Sequence, residues 1–171
     1  IERITSTESF GMSPRRITVS TAGVAKMIKK LGDDDVRFNL ALSLHAANDI
    51  KRNEIMAINE TNNIKSLIEA LNYFHGQTKG DITLEYVLLK GTNDSLQDAK
   101  ELVEIYKRVP THTINIIEYN TVEGIDFDRA DDDTTEAFVK FLSDRKVNVH
   151  VRRSRGKDIN AACGQLANKI P

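Results

Sequence analysis

The chain has one cysteine, three prolines and no tryptophan in 171 residues. A single cysteine excludes an internal disulfide framework, and any all-cysteine metal site built by this chain alone. Glycine is sparse too, nine in all, and nothing gathers into a Pro/Gly-rich linker or a low-complexity stretch. No apolar run approaches the roughly 18 residues that a membrane span needs. The opening IERITSTESF lacks the apolar core of a signal peptide. Lys+Arg 24 against Asp+Glu 25 leaves a net charge of −1, so no global field draws the chain to nucleic acid or to a membrane. What is present is 40% hydrophobic and 29% charged residues, enough for the core of one ordinary domain, read as soluble and cytoplasmic. The first residue is Ile, which reads as the start of an excised piece of something longer.

Five segments are rich in β-branched and aliphatic residues and bounded by polar turns: Arg16–Ser20, Arg37–Leu44, Ile82–Leu89, Thr113–Glu118 and Val147–Arg152. Helical spacing lies between them. Val24, Met27, Ile28 and Leu31 form one apolar stripe, with Gly32 as its stop. Ile64, Leu67, Ile68, Leu71 and Phe74 form a second behind an Asn62 or Asn63 cap. Ala99, Leu102, Val103, Ile105 and Tyr106 form a third, entered through Asp94-Ser95 and ended before Pro110. Ala137, Phe138, Phe141 and Leu142 form the last, behind the acidic entry Asp131–Asp133. Strand alternating with helix predicts an α/β fold with a parallel sheet. Five strands are too few for a closed eight-stranded barrel, and an open doubly wound sheet and part of a barrel both satisfy the pattern.

Ligands of parallel βα folds sit beyond the carboxyl ends of the strands. Those ends carry Ser20-Thr21, Ser43-Leu44-His45, Lys90-Gly91, Glu118-Tyr119-Asn120 and Arg153-Ser154. Any one of these is explained as a helix cap; their convergence also suits a small polar ligand. His45 alone is weak evidence for a metal, and His75, His112 and His150 show no zinc-pair spacing, so no metal site is expected. Glu85 shares a strand face with Thr83, Val87 and Leu89, and is either a buried functional carboxylate or an exposed one. The acids from Asp126 to Glu136 read as a solvated loop and helix entry.

The C-terminal part differs in kind. Arg145, Lys146, Arg152, Arg153, Arg155 and Lys157 gather cations that suit phosphates, or that simply decorate a surface strand. Cys163 follows, flanked by alanine and glycine. Small neighbours leave a thiol accessible, and nearby cations favour thiolate. The competing reading is an inert core filler.

SPRRITVSTAG (13–23), LALSLHAAND (40–49), ITLEYVLLKGTND (82–94), INIIEYN (114–120) and above all RGKDINAACGQLA (155–167) resemble the radical S-adenosylmethionine RNA methyltransferases of the RlmN/Cfr type. The resemblance covers nearly the whole chain. It implies a partial (βα) barrel of parallel strands in which 153–171 form a C-terminal cysteine loop and tail. It implies S-adenosylmethionine contacts at Ser20, at Ser43, Leu44 and His45, and at Asn120, with Cys163 carrying the methyl group. RNA contacts are expected at Arg152, Arg153, Arg155 and Lys157. The implied substrates are 23S ribosomal RNA and transfer RNA, methylated at C2 of adenosine in the RlmN branch or at C8 in the Cfr branch. The implied partners are a 4Fe–4S cluster and a reductant for it.

The chain departs from that family in two respects. It lacks the C-x3-C-x2-C of the cluster and the Gly-Glu strand end that grips the methionine amino group. Both are expected upstream of Ile1. The chain is therefore read as the C-terminal portion of such an enzyme, inactive and iron-free by itself, with an open sheet edge at Arg16–Ser20 through which copies can self-associate. The rival readings are a non-catalytic RNA-binding module using 145–157, and a generic βα enzyme whose strand-end serines bind a phosphorylated metabolite.

Overall fold

The computed structural model describes residues 1–121, 124 and 126–153. Five strands, β1 (Thr18–Thr21), β2 (Asn39–Ser43), β3 (Ile82–Leu88), β4 (Thr111–Glu118) and β5 (Val149–Arg152), form one sheet in the order β1-β2-β3-β4-β5. Every pairing is parallel. Among the described residues six α-helices accompany them: α1 (Glu2–Thr5), α2 (Ala25–Asp33), α3 (Asp49–Ile55), α4 (Ile64–Thr78), α5 (Leu96–Arg108) and α6 (Asp132–Ser143). The five expected strands are thus all present, within two residues of their anticipated ends.

The helices start where the sequence supplies caps. The Asn63 side chain accepts from Ser66 N–H, Ser95 and Asp98 form a reciprocal capping box, and Asp131 accepts from Thr134 N–H. Gly32 is not a stop. It lies inside α2, buried, where a Cβ would meet the Tyr73 ring at 3.3 Å. Close approach of α2 to α4, not chain reversal, is what this glycine permits, and the turn falls instead at Asp35, whose φ is 45°. The acids of the loop before α6 and of its first turn are exposed, as expected. α3 carries no apolar period and was not anticipated.

Alternation divides the sheet into two unlike faces. Leu40 and Leu42 of β2, Ile82, Leu84, Tyr86 and Leu88 of β3, and Ile114 and Ile116 of β4 pack in one cluster with Ile28, Leu67, Leu71, Phe74, Leu102 and Phe138 from the helices. Each such fully buried side chain contributes about 1.5–3 kcal/mol. The opposite face is polar. Registered neighbours run Ser20, Ala41, Thr83, Thr113 in one row and Ser43, Glu85, Asn115, His150 in the next. A parallel sheet covered on both sides reads as continuous aliphatic runs. This one alternates, because helices cover a single side. Among the described residues β1 and β5 each pair on one side only, so the edge expected at the first strand is open there.

Candidate cofactor site at the strand tips

β1 delivers Ser20, exposed, and Thr21, whose hydroxyl accepts from Gly23 N–H at 3.1 Å. Gly23 adopts φ 100°, a conformation that favours glycine, and turns the chain sharply into α2.

β2 ends less simply. The N–H groups of Leu44 and His45 both donate to the Glu85 carbonyl, at 2.9 and 3.2 Å, and His45 takes a left-handed φ of 57°. That turn swings the imidazole onto β3, where Nδ1 accepts from Val87 N–H at 3.1 Å. The acceptor role of Nδ1 fixes the tautomer with its proton on Nε2. Burial, with the nearby Arg52 charge second, pushes the His45 pKa down to about 4. At neutral pH the ring is therefore an uncharged Nε2–H donor. Leu44 lies in the core, with both backbone groups engaged by protein.

Two fully buried polar residues hold these tips, and sequence reasoning missed both. Asn93 donates to His45 O at 2.6 Å and Val87 O at 2.7 Å, and accepts from Leu89 N–H at 2.7 Å. The Tyr86 hydroxyl closes on its carbonyl at 2.8 Å. Arg52, on α3, bonds backbone oxygens at the ends of β1 and β2. The available signal was an asparagine in the turn Gly91–Ser95 and an arginine in the polar run DIKRNEI, both of which resemble ordinary surface residues.

At the end of β4, Glu118 is buried and takes Arg129 at 3.3 Å and Arg153 at 3.6 Å. Asn120 is buried beside it. The Tyr119 hydroxyl is buried with no hydrogen-bond partner among the described residues, and its ring meets Phe127 edge-on at 6.5 Å. Glu85, left open by the sequence, is buried on the polar face and engaged by Asn115 and Arg152.

Ser20, Ser43, His45 and Asn120 thus stand at one pole of the sheet, where strand spacing puts the β1 and β4 tips about 14 Å apart. Two hydroxyls, a fixed imidazole donor and a carboxamide suit an adenosine-type ligand with many hydrogen-bonding groups. Arg152 and Arg153 face carboxylates. Arg155, Lys157 and Cys163 lie outside the described residues. The donor set does not fit an iron–sulfur cluster: one cysteine cannot supply three thiolates, and among the described residues no three His, Cys, Asp or Glu side chains converge.

No protein-family model matches the chain. It is 55% identical over 169 residues to a probable dual-specificity RNA methyltransferase RlmN of Cytophaga hutchinsonii, covering 99% of this chain and 46% of that protein. The dual-specificity RNA methyltransferase RlmN of Nautilia profundicola is 38% identical over 169 residues, with 99% and 48% covered. A radical SAM methyltransferase from Sphaerobacter thermophilus superposes with a TM-score of 0.88 at 37% identity, over 95% of this chain and 47% of that one. A domain of a pyruvate-formate lyase-activating enzyme from Bacteroides vulgatus shares the fold alone, at TM-score 0.61 and 12% identity, over 79% and 80%. The open parallel sheet is that of a radical S-adenosylmethionine methyltransferase. Over the residues matched, the chain is similar to the RlmN dual-specificity RNA methyltransferases. It spans about half the length of the curated relatives it matches.

Proposed function

We propose that this chain is the C-terminal half of a cytoplasmic RNA methyltransferase that places a methyl group on C2 of an adenosine in 23S ribosomal RNA and in transfer RNA. The observation that carries the reading is the gathering of Ser20, Ser43, His45 and Asn120 at one end of an open parallel sheet, in a chain whose relatives are named dual-specificity RNA methyltransferases.

Ser20 and Ser43 offer hydroxyls, His45 its Nε2–H and Asn120 its carboxamide to S-adenosylmethionine. The adenine C2 carbon is too poor a nucleophile to take a methyl group from a sulfonium by displacement. A thiolate is not. The Cys163 sulfur attacks the sulfonium methyl; the new S–C bond replaces the old one, and S-adenosylhomocysteine leaves. Transfer onward to a carbon centre needs radical chemistry, which a 4Fe–4S cluster ligated outside this chain supplies when reduced. The base must leave its stack to reach the tips, and Arg155 and Lys157 are assigned to its backbone phosphates. Arg152 and Arg153 are less suited to that task, because each already faces a carboxylate.

The test is Cys163→Ala in the full-length enzyme that carries this chain, with transcripts of both RNAs and nucleoside mass spectrometry. The unaltered enzyme should yield 2-methyladenosine and the variant none. Methylation by the variant, or 8-methyladenosine as the product, would overturn the assignment.

A further inference from the structure

Arg52 sits in the middle of the seven-residue helix α3, and its side chain is shielded completely from solvent. A buried guanidinium is costly unless its N–H groups all find acceptors. Here Nε donates to Leu44 O at 3.0 Å. Nη1 donates to the Asn59 side-chain oxygen at 2.8 Å and to Asn62 O at 3.4 Å, and Nη2 to Ala22 O at 2.8 Å and Ser43 O at 3.2 Å. All five acceptors are neutral oxygens. Asp49, the nearest carboxylate to act on this charge, is occupied elsewhere, by the Asn59 amide at 3.0 Å and Ile64 N–H at 2.8 Å. No ion pair therefore explains the burial of this cation.

The position of the acceptors explains it better. The β1–β2 ladder ends at the pair Thr21 and Leu42. Ala22 and Ser43 would be the next pair, one step beyond the last rung. Nη2 bonds both of their carbonyls, so a side chain continues the cross-strand tie where the two backbones begin to separate. Nε then holds the following carbonyl, at Leu44. Gly23 completes the arrangement: a Cβ there would come within 3.1 Å of Nη2, 3.0 Å of Leu67 Cδ2 and 3.1 Å of Leu42 Cδ1, at a φ that already disfavours any side chain.

We propose that Arg52 is a positioning residue for the adenosylmethionine site, fixing the separation of the tips that carry Ser20 and Ser43–His45 by bonding Ala22, Ser43 and Leu44 from beneath. The inference rests on the function proposed above. It gives that site a component that does not touch the ligand, and that no contact list around the ligand would reveal.

The experiment uses the full-length enzyme carrying this chain, with S-adenosylhomocysteine as the calorimetric probe and an RNA hairpin transcript in gel shifts. Arg52→Lys keeps the charge but loses the planar fork. It should weaken S-adenosylhomocysteine about tenfold or more, with RNA affinity unchanged within about twofold. Gly23→Ala retains the guanidinium but pushes it out of position, and should act in the same direction; it reads the proposal if Arg52→Lys fails to fold. Lys51→Met, on the same helix, breaks the 2.6 Å Lys51–Asp98 pair, which involves none of the Arg52 acceptors, and serves as the stability control. It should lower Tm and leave ligand affinity alone. Folded Arg52→Lys and Gly23→Ala variants with unchanged ligand affinity would overturn the proposal. So would a Lys51→Met variant that weakens the ligand equally at equal loss of Tm. Absence of binding by the unaltered enzyme would instead overturn the proposed function.

Discussion

The Arg152 guanidinium on β5 reaches across β4 to the Glu85 carboxylate on β3, 3.3 Å away, while Asn115 on the intervening strand donates to the other carboxylate oxygen at 2.9 Å. One carboxylate thereby ties three strands on the polar face. The Glu85 side chain is 11% exposed and that of Arg152 is 63% exposed, so solvent screens most of the Coulomb attraction. Removing Arg152 should cost under about 1 kcal/mol. Asn115→Ala strips a desolvated oxygen of its donor and should cost about 1–3 kcal/mol. Urea denaturation of the single and double variants measures both values, and strictly additive losses would show that the two donors do not cooperate at Glu85.

His45 makes stability depend on mild acid. Its pKa is about 4 folded, against an ordinary value near 6.5, so between those values the unfolded chain binds the extra proton. The contribution is whole above about pH 6.5 and is lost as pH falls through about 4, amounting to about 3 kcal/mol at most. Unfolding free energy measured at pH 7 and at pH 4.5 should drop more for the unaltered chain than for His45→Gln. Equal drops would assign the acid sensitivity to the carboxylates.

Incubation of this chain with iron and sulfide under reducing conditions should leave no absorbance near about 400 nm, where thiolate-bound clusters absorb. A stable band there would mean that one cysteine recruits a cluster through a second copy of the chain, contrary to the assignment of the ligands upstream.

The free edge of β1 predicts concentration-dependent self-association. Asn39 N–H bonds Ile17 O, so the backbone groups of Ile17 and Val19 point toward β2 and those of Thr18 and Ser20 point outward. Thr18→Pro removes an outward donor and no ladder bond. Light scattering across a concentration series should show oligomers of the unaltered chain that this variant suppresses. A monomer at all concentrations would dispose of the prediction.

Much of this architecture was legible in the residues, for identifiable reasons. The aliphatic runs of Ile82–Leu89 and Thr113–Glu118 specify strands because no other element buries alternate Ile, Leu and Tyr against helices. The caps Asn63, Ser95 and Asp131 mark helix starts through side-chain chemistry that needs no tertiary context. Strand-end position put Ser20, Ser43, Leu44, His45 and Asn120 in a wider set, from which the family resemblance selected them. Arg52 and Asn93 stayed hidden because their partners are remote in sequence: Arg52 bonds carbonyls from residues 22 to 62, and Asn93 reaches back to His45. Nothing in DIKRNEI distinguishes a buried arginine from a solvated one. The basic run 145–157 was read as a single patch because sequence distance cannot show that adjacent arginines lean toward different carboxylates, Glu85 and Glu118.

On β3, even-numbered residues anchor the helices and odd-numbered ones line the other side, so folding and recognition occupy alternate letters of the same seven-residue word. A library that randomises Ser20 and Ser43 while leaving Leu42 and Leu84 untouched should therefore return mostly folded proteins with altered ligand affinity. Single steps on that side would leave the helix-packed core untouched, provided that the Glu85–Asn115–Arg152 tie is kept.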